Sequence, residues 1–378
     1  MRSLIFDIHS EHLETMATPS HEVIFFNPLA YLSPETLIST NALVQAHRRQ
    51  ESRTREFLRA VTAQLQQSHV DVICAHQSTF PPEWLINECQ GQRRVLGCFD
   101  DPQATYTRTL PAMVGYHGAY YCSPSYSNVQ LTNDVFKSFG IMHSHWFPLS
   151  YAKFSPNHCR DVMDRIDTRT NTVVYVGKCY GSKVDRLARL HQHLGKQLIV
   201  HGKDWPLRGG AGFLAPLRGR RYFPRWVRPI SSPARQRLYL SSKVGFNMHL
   251  GDQAETGNMR MYETTAHGLV LLCDKAATGA HASIFEPDVE ALFYSSMEEA
   301  IDLIERCFSD SRFSREIATA GYERCRHHYS LDNVLDRLIT WAGTIPKDQS
   351  VAGGNASPCT TDLNTVSHCV ADPAIEST

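Results

Sequence analysis

Short apolar runs alternate with amphipathic stretches along most of the chain. The opening MRSLIFDIHSEHLE reads as a first strand and EVIFFNP as a second, ended by Asn-Pro. A polar stretch from Pro34 to Gln67 reads as one long helix. HVDVICAHQ and RRVLGCFDDPQA are nearly continuous apolar runs, the pattern of strands buried on both faces. PPEWLINECQ between them makes a short helix. AMVGYHGAYYCSP gives a further strand, NVQLTNDVFKSFG a helix closed by Gly140, and MHSHWFPLS a last extended piece. Strands alternating with helices predict a parallel, doubly wound sheet.

The polar residues from about Ser155 to Thr172 mark a boundary, and the alternation then restarts. Thr172 to Val176 is β-rich and runs into a loop holding Gly177 and Gly181, followed by an amphipathic helix. QLIVHGKDW is the next strand, ending near His201 and Gly202. In KVGFNMHLGDQAETGNMRMYETTAHGLVLLCD, an apolar strand (Val244 to Leu250) leads through a polar loop to a helix opening near Met259. Gly268 then introduces a buried strand, Leu269 to Cys273. Ser295 or Ser296 suits the N-cap of the next helix, and two closing helices end near Trp341. This predicts an α/β chain of two Rossmann-like domains, residues 1–155 and 170–343. The Ser-, Thr-, Gly- and Pro-rich residues 344–378 lack periodicity and read as a disordered tail.

Open α/β sheets bind ligands beyond the carboxyl ends of their strands. Candidate chemistry is therefore sought there. Gly177 with Lys178, Lys183 and Arg186 forms a strand–glycine loop–helix arrangement that suits a phosphate, and equally an ordinary βα turn. His201 and Gly202 end the neighbouring strand. Glu255, Arg260 and Glu263 crowd one loop and helix, and such charges are costly to bury without partners. In the first half, His76, Asp100 and Asp101 end strands; any of them suits a base, while Asp100 and Asp101 also suit a turn before Pro102.

Composition narrows the partners. The 378 residues allow two domains of ordinary size. Lysine plus arginine and aspartate plus glutamate balance at 38 each, with pI near 7.3, so no basic footprint for nucleic acid is present. No run approaches the roughly 18 apolar residues of a membrane span. Eleven scattered cysteines without a C-x-x-C pair read as reduced core thiols of a cytoplasmic protein. The stretch at 208–228 interleaves arginines with Tyr222, Phe223 and Trp226, which suits a structured loop near the crevice or contact with an acidic membrane surface.

The order of several short motifs resembles the CgeB-like (spore-maturation type) glycosyltransferases of the GT-B superfamily, from roughly Asp71 to Leu338. The motifs are VLGCFDDP, YVGKCYGSKVDRL, VHGKDW, SKVGFNMHL, the Gly-Asn-x-Arg-x-x-Glu element in GNMRMYETTAHGLVLLCD, and IATAGYERCRHHYSLDNVLDRL. The resemblance implies two domains facing each other across a cleft, an amino-terminal acceptor side and a carboxy-terminal nucleotide-sugar side. It places Glu263 on the ribose hydroxyls. Glu255, seven intervening residues earlier as in the E-x7-E pattern, falls near the donor sugar. Lys243 and Arg260, with Asn258 in the same element, are implied at the diphosphate.

The expected activity is transfer of a sugar from a nucleoside-diphosphate sugar to an acceptor, whether small molecule, glycan or protein. No obligatory cofactor or metal is expected, and the second half has no compact Asp-x-Asp motif. Two rival readings keep the same groove: a nucleotide-sugar or glycan-binding protein without turnover, and a nucleotide-sugar hydrolase or epimerase.

Overall fold

The computed structural model describes residues 1–6, 14–37, 40–76, 80–98, 109–122, 126–151, 154–179, 183–203, 205, 227–249, 257–276 and 279–347. The first half runs β1 (Arg2–Phe6), β2 (Glu14–Ala17), β3 (Glu22–Phe26), α1 (Pro34–Leu37), α2 (Thr40–Arg48), α3 (Ser52–Ser68), β4 (Val72–His76), α4 (Pro82–Glu88), β5 (Arg93–Cys98), α5 (Leu110–Ala112), β6 (Gly118–Tyr121), α6 (Tyr126–Ser138) and β7 (His143–Trp146). The second runs α7 (Pro156–Arg165), β8 (Thr170–Val176), α8 (Lys183–Leu194), β9 (Leu198–His201), α9 (Ser232–Ser241), β10 (Ser242–Asn247), α10 (Met259–Ala266), β11 (Val270–Asp274), β12 (Leu292–Tyr294), α11 (Met297–Ser309), α12 (Ser311–His328) and α13 (Leu331–Thr344).

Among the described residues the strands form two sheets, ordered β2-β3-β1-β4-β5-β6-β7 and β12-β11-β10-β8-β9. All neighbours are parallel except β2, which pairs antiparallel with β3 at the edge. The order reverses between β1 and β4 in the first sheet and between β8 and β10 in the second, so each has a switch point where a crevice opens. Residues beyond the carboxyl ends of the first sheet's strands meet α10 of the second. Leu149, just beyond β7, packs against Met261 and Tyr262 of α10, and Cys122, just beyond β6, lies near the Tyr262 phenol.

Several elements differ from the sequence pattern. The expected long helix over 34–67 is interrupted at Gln50, whose left-handed φ of 53° separates α2 from α3. The boundary near 155–172 holds α7. Ser155 Oγ accepts from the His158 N–H at 3.2 Å, Pro156 opens the helix, and Val162 is buried against Leu240 and Tyr322. Strand β12 and helix α9 are also additional to the expectation. The expected N-cap holds: Ser296 Oγ accepts from the Glu299 N–H at 3.1 Å, and the Glu299 carboxylate accepts from the Ser295 N–H at 2.6 Å, a capping box.

The last helix does not stay with the second sheet. Tyr151 pairs with Ser330 as the two crossover segments run side by side, and α13 then packs on the first sheet. Leu335, Leu338, Ile339, Ala342 and Ile345 are buried against Ile5, Val72, Val95 and Tyr120. Each large aliphatic side chain so covered contributes roughly 1.5–3 kcal/mol. Gly118 permits the approach, since a Cβ there would stand 2.6 Å from Ile345 Cδ1 and 3.0 Å from the His143 carbonyl. Ordered structure also outlasts residue 343: Arg93 Nε donates to the Ile345 carbonyl at 2.9 Å, and Lys347 Nζ to the Gly91 carbonyl at 2.6 Å. The expected tail beyond Lys347 lies outside the described residues.

Candidate donor-side site

The switch point of the second sheet is bridged by one side chain. Asn258 caps α10 by accepting from the Arg260 N–H at 3.0 Å, which starts the helix just where Arg260 can reach back over the sheet. Arg260 Nε donates to the Val176 carbonyl at the end of β8 at 2.5 Å. Its Nη1 donates to Asn247 Oδ1 at the end of β10 at 2.7 Å. The guanidinium also lies over the Tyr175 ring, 4.6 Å from its centre. Asn247 is fully buried and also accepts from Asn258 Nδ2 at 3.2 Å. A rigid planar fork held on both sides of the switch point is a fixed positive charge, and arginine suits such a bidentate task better than lysine.

Lys183 is the second cation. It opens α8, is only 7% exposed, and feels both Arg260 and Asp274. Burial first, and the Arg260 charge next, bring its ammonium down to about 8. Arg186, one turn along α8, donates to Asp274 Oδ2 at 3.3 Å. Lys183 and Arg186 thus lie beside one carboxylate, with Arg260 acting on Lys183. Burial alone would push the Asp274 carboxyl up, but the hydrogen bonds and charge of His249, with Arg186 behind them, hold it below its ordinary value. The excess positive charge at the carboxyl edge, next to the starts of two helices, suits a diphosphate.

Gly177 serves this arrangement sterically. Its N–H donates to the His201 carbonyl at 2.9 Å. A Cβ on Gly177 would collide with the Arg260 guanidinium. Gly202 packs directly on the Gly177 carbonyl, which also accepts from Trp205 Nε1 at 2.9 Å. His201 Nδ1 contacts the Arg228 carbonyl at 3.1 Å. Gly177, His201 and Gly202 therefore shape the crossing of β8 and β9, and Lys178 is exposed at the rim.

Lys243 is misplaced by the sequence reading. It stands at the amino end of β10, where its charge reaches Cys307 of α11. Four residues of strand, about 13 Å at the usual rise, separate it from Asn247. A strand ordered from its amino end cannot offer its first residues to a ligand at the other edge, so Lys183 replaces Lys243 as the second cation.

Glu263 lies one turn beyond Arg260 on α10, with its side chain 16% exposed. Arg235 Nε approaches its Oε1 at 3.0 Å, and the Tyr239 hydroxyl donates to its Oε2 at 3.4 Å. Both partners sit on α9, an element hidden in the sequence by its arginine- and proline-rich surroundings; Ser231-Ser232-Pro233 was the available start signal. Behind Glu263, His267 is buried, contacting the Glu263 carbonyl through Nδ1 at 2.7 Å and the Tyr151 hydroxyl through Nε2 at 3.2 Å. Burial brings its imidazole down to about 3.

The first domain contributes less that can be described. His76 ends β4 at the carboxyl edge, while its side chain, Asp100, Asp101 and Glu255 lie outside the described residues. Most of the arginine-rich stretch at 208–228 does too. No helix among the described residues is long and apolar enough to cross a membrane.

Two doubly wound sheets meeting at their carboxyl edges define the GT-B class of glycosyltransferase folds, and solved structures of that class follow nearly the whole chain. A UDP-forming α,α-trehalose-phosphate synthase from Burkholderia xenovorans matches with TM-score 0.53 and 12% identity over 91% of this chain and 99% of its own. An α-glucosyltransferase in complex with UDP-glucose and DNA containing an abasic site gives 0.57 and 11% over 91% and 99%. Sucrose-phosphate synthase from Thermosynechococcus elongatus gives 0.50 and 12% over 90% and 87%. At such identities the likeness establishes the fold. More particularly, residues 183–340 match the family model described as glycosyl transferase-like. That glycosyltransferase-like segment begins at Lys183 and includes Arg260 and Glu263. No curated protein matches the chain by sequence.

Proposed function

We propose that this protein is a glycosyltransferase that moves a sugar from a UDP-sugar to an acceptor bound on the first domain. The observation that carries the reading is the pair of buried or half-buried cations, Lys183 and Arg260, converging on the switch point of the glycosyltransferase-like domain. As the bond to the anomeric carbon breaks, negative charge builds on the leaving diphosphate. Preset cations stabilise that charge without reorganising at the moment of reaction. The Arg260 fork, pinned by Val176 and Asn247, meets this requirement.

Within this reading Glu263 takes the ribose hydroxyls. A carboxylate accepts two such bonds, and charge-assisted bonds are the stronger kind; Arg235 and Tyr239 hold it in place. The Gly-Asn-x-Arg-x-x-Glu element, Gly257 to Glu263, supports the CgeB-like subtype. UDP as the nucleotide draws on the solved neighbours, two of which are described with UDP or UDP-glucose. Glu255 is the candidate at the donor sugar, and His76, Asp100 and Asp101 are candidates for deprotonating the acceptor. Most of the described cysteines are buried thiols, which suits a cytoplasmic setting.

The reading is tested by incubating the purified protein with UDP-, GDP-, ADP- and TDP-sugars. Thermal protection and slow release of free nucleotide are expected with a UDP-sugar. Absence of both with every donor would refute it.

A further inference from the structure

The diphosphate cradle leaves one polar group at the same edge without an assigned task. His249 stands two residues beyond β10 and is 5% exposed. Its backbone N–H donates to the Asp274 carboxylate at 2.9 and 3.0 Å, and its Nδ1 lies 2.8 Å from Asp274 Oδ1. Nε2 is buried and has no hydrogen-bond partner among the described residues. A buried polar atom left without a partner is unfavourable, so one at the carboxyl edge suits a hydrogen bond from a ligand.

The nearby Cys273 sulfur, with His249 and Asp274, makes a compact trio whose donor atoms lie within 4.8 Å. The hydrogen-bonding argues for a different use. Asn247 Nδ2 donates to the Cys273 sulfur at 3.2 Å, and burial pushes that thiol well up, where it is a poor metal ligand. Asp274 is meanwhile shared between His249 and Arg186. What remains is an Asp–His dyad with one buried nitrogen that no described residue meets.

We propose that His249 Nε2 accepts a hydrogen bond from a hydroxyl of the transferred sugar, with Asp274 as its positioning residue. This rests on the nucleotide-sugar reading above. The Asp274 carboxylate can only accept, so it selects the tautomer with the proton on His249 Nδ1, which leaves the lone pair at Nε2. A diphosphate oxygen carries no hydrogen to give to a lone pair; a sugar hydroxyl does. The position fits as well. Asp274 also feels Lys183 and Arg186, so the dyad borders the phosphate cradle. Glu263, by contrast, has its partners on α9. Arg260 lies between the two, its charge reaching Lys183 on one side and Tyr239, the partner of Glu263, on the other. With the ribose on Glu263, the diphosphate between, and the dyad next, the group bonded to the diphosphate is the sugar.

The experiment compares UDP and UDP-glucose by calorimetry on the full chain, its His249→Ala and its His249→Gln variants. The wild type should bind UDP-glucose more tightly than UDP. His249→Ala should lose that difference by about 5–10-fold, the worth of one hydrogen bond, with UDP affinity unchanged. His249→Gln, which keeps an acceptor at similar reach, should retain most of it. Nitrogen-15 spectra of the wild-type histidine ring should show Nε2 moving with UDP-glucose and staying still with UDP. An undiminished sugar increment in His249→Ala, an equal loss for both ligands, or an Nε2 signal indifferent to the sugar overturns the proposal. Failure of wild type to bind either nucleotide would instead refute the nucleotide-sugar reading on which it stands.

Discussion

Arg260 Nη1 donates to Asn247 Oδ1 at 2.7 Å, tying the first turn of α10 to the end of β10. Because Nε of the same guanidinium holds the Val176 carbonyl, the fork spans the place where the strand order reverses. Asn247→Ala should free one arm of the fork. The loss expected is about 1–3 kcal/mol in stability, with UDP affinity reduced in step, read by denaturation and calorimetry. Lys178→Ala, at the exposed rim, should change neither measurably.

Lys183 should make donor binding depend on pH. Its ammonium sits near 8 in the free protein, and an arriving diphosphate raises it, so binding takes up a proton. UDP affinity should fall as pH rises above 8, and Lys183→Met should weaken binding while removing this dependence. The stability sign is opposite. The native pKa is below the unfolded one, so the unfolded chain holds more protons between about 8 and 10.5, and stability of the free protein rises with pH across that window. Calorimetry in buffers of different ionisation enthalpy measures the proton uptake.

Glu263→Gln separates the ribose role from the ion pair with Arg235. UDP affinity should drop about tenfold, as for one charge-assisted bond, while pyrophosphate affinity stays constant. The melting temperature should change little, because Arg235 is about one third exposed and such pairs contribute about 0–1 kcal/mol. Equal loss for UDP and pyrophosphate would point away from the ribose.

His267 should govern part of the acid limb of stability. Burial holds the ring neutral down to about 3, whereas the unfolded ring takes its proton near 6.5. Below that value the unfolded chain binds more protons, so stability falls with pH, by on the order of 3 kcal/mol at pH 4. His267→Gln should flatten this limb in denaturation curves taken from pH 7 to 4.

Truncation should reveal where the fold ends. A chain stopped after Thr344 loses Ile345, buried on the first sheet, and the bond from Arg93. A loss of about 2–4 kcal/mol is expected from such an aliphatic deletion, visible as a lower melting temperature. A chain stopped after Lys347 keeps both contacts and should melt with the full-length protein.

Much of the architecture could be read from the residues. Parallel strands buried on both faces are apolar almost throughout, so runs such as HVDVICAHQ and LVLLCD announce themselves, and their alternation with helices leaves few topologies. Breaks set by one residue's backbone, such as Gln50 between α2 and α3, and short elements such as β12, carry too little periodic signal. The candidate site was half legible. Gly177, Arg260 and Glu263 were singled out because glycine and charge are conspicuous at strand ends. The place of Lys243 at the amino end of β10 and the pairing of Asp274 with His249 are not legible, since they depend on which strand ends adjoin.

The residues by themselves determined the two-domain α/β class and the family resemblance, because burial pattern and motif order are properties of the linear chain. Only the tertiary structure decided which cations converge, that Gly177 leaves room for the Arg260 guanidinium, that α13 returns to the first sheet, and that His249 meets Asp274. Those outcomes depend on strand order and on which end of a strand reaches the crevice, and neither is written in any local stretch of sequence.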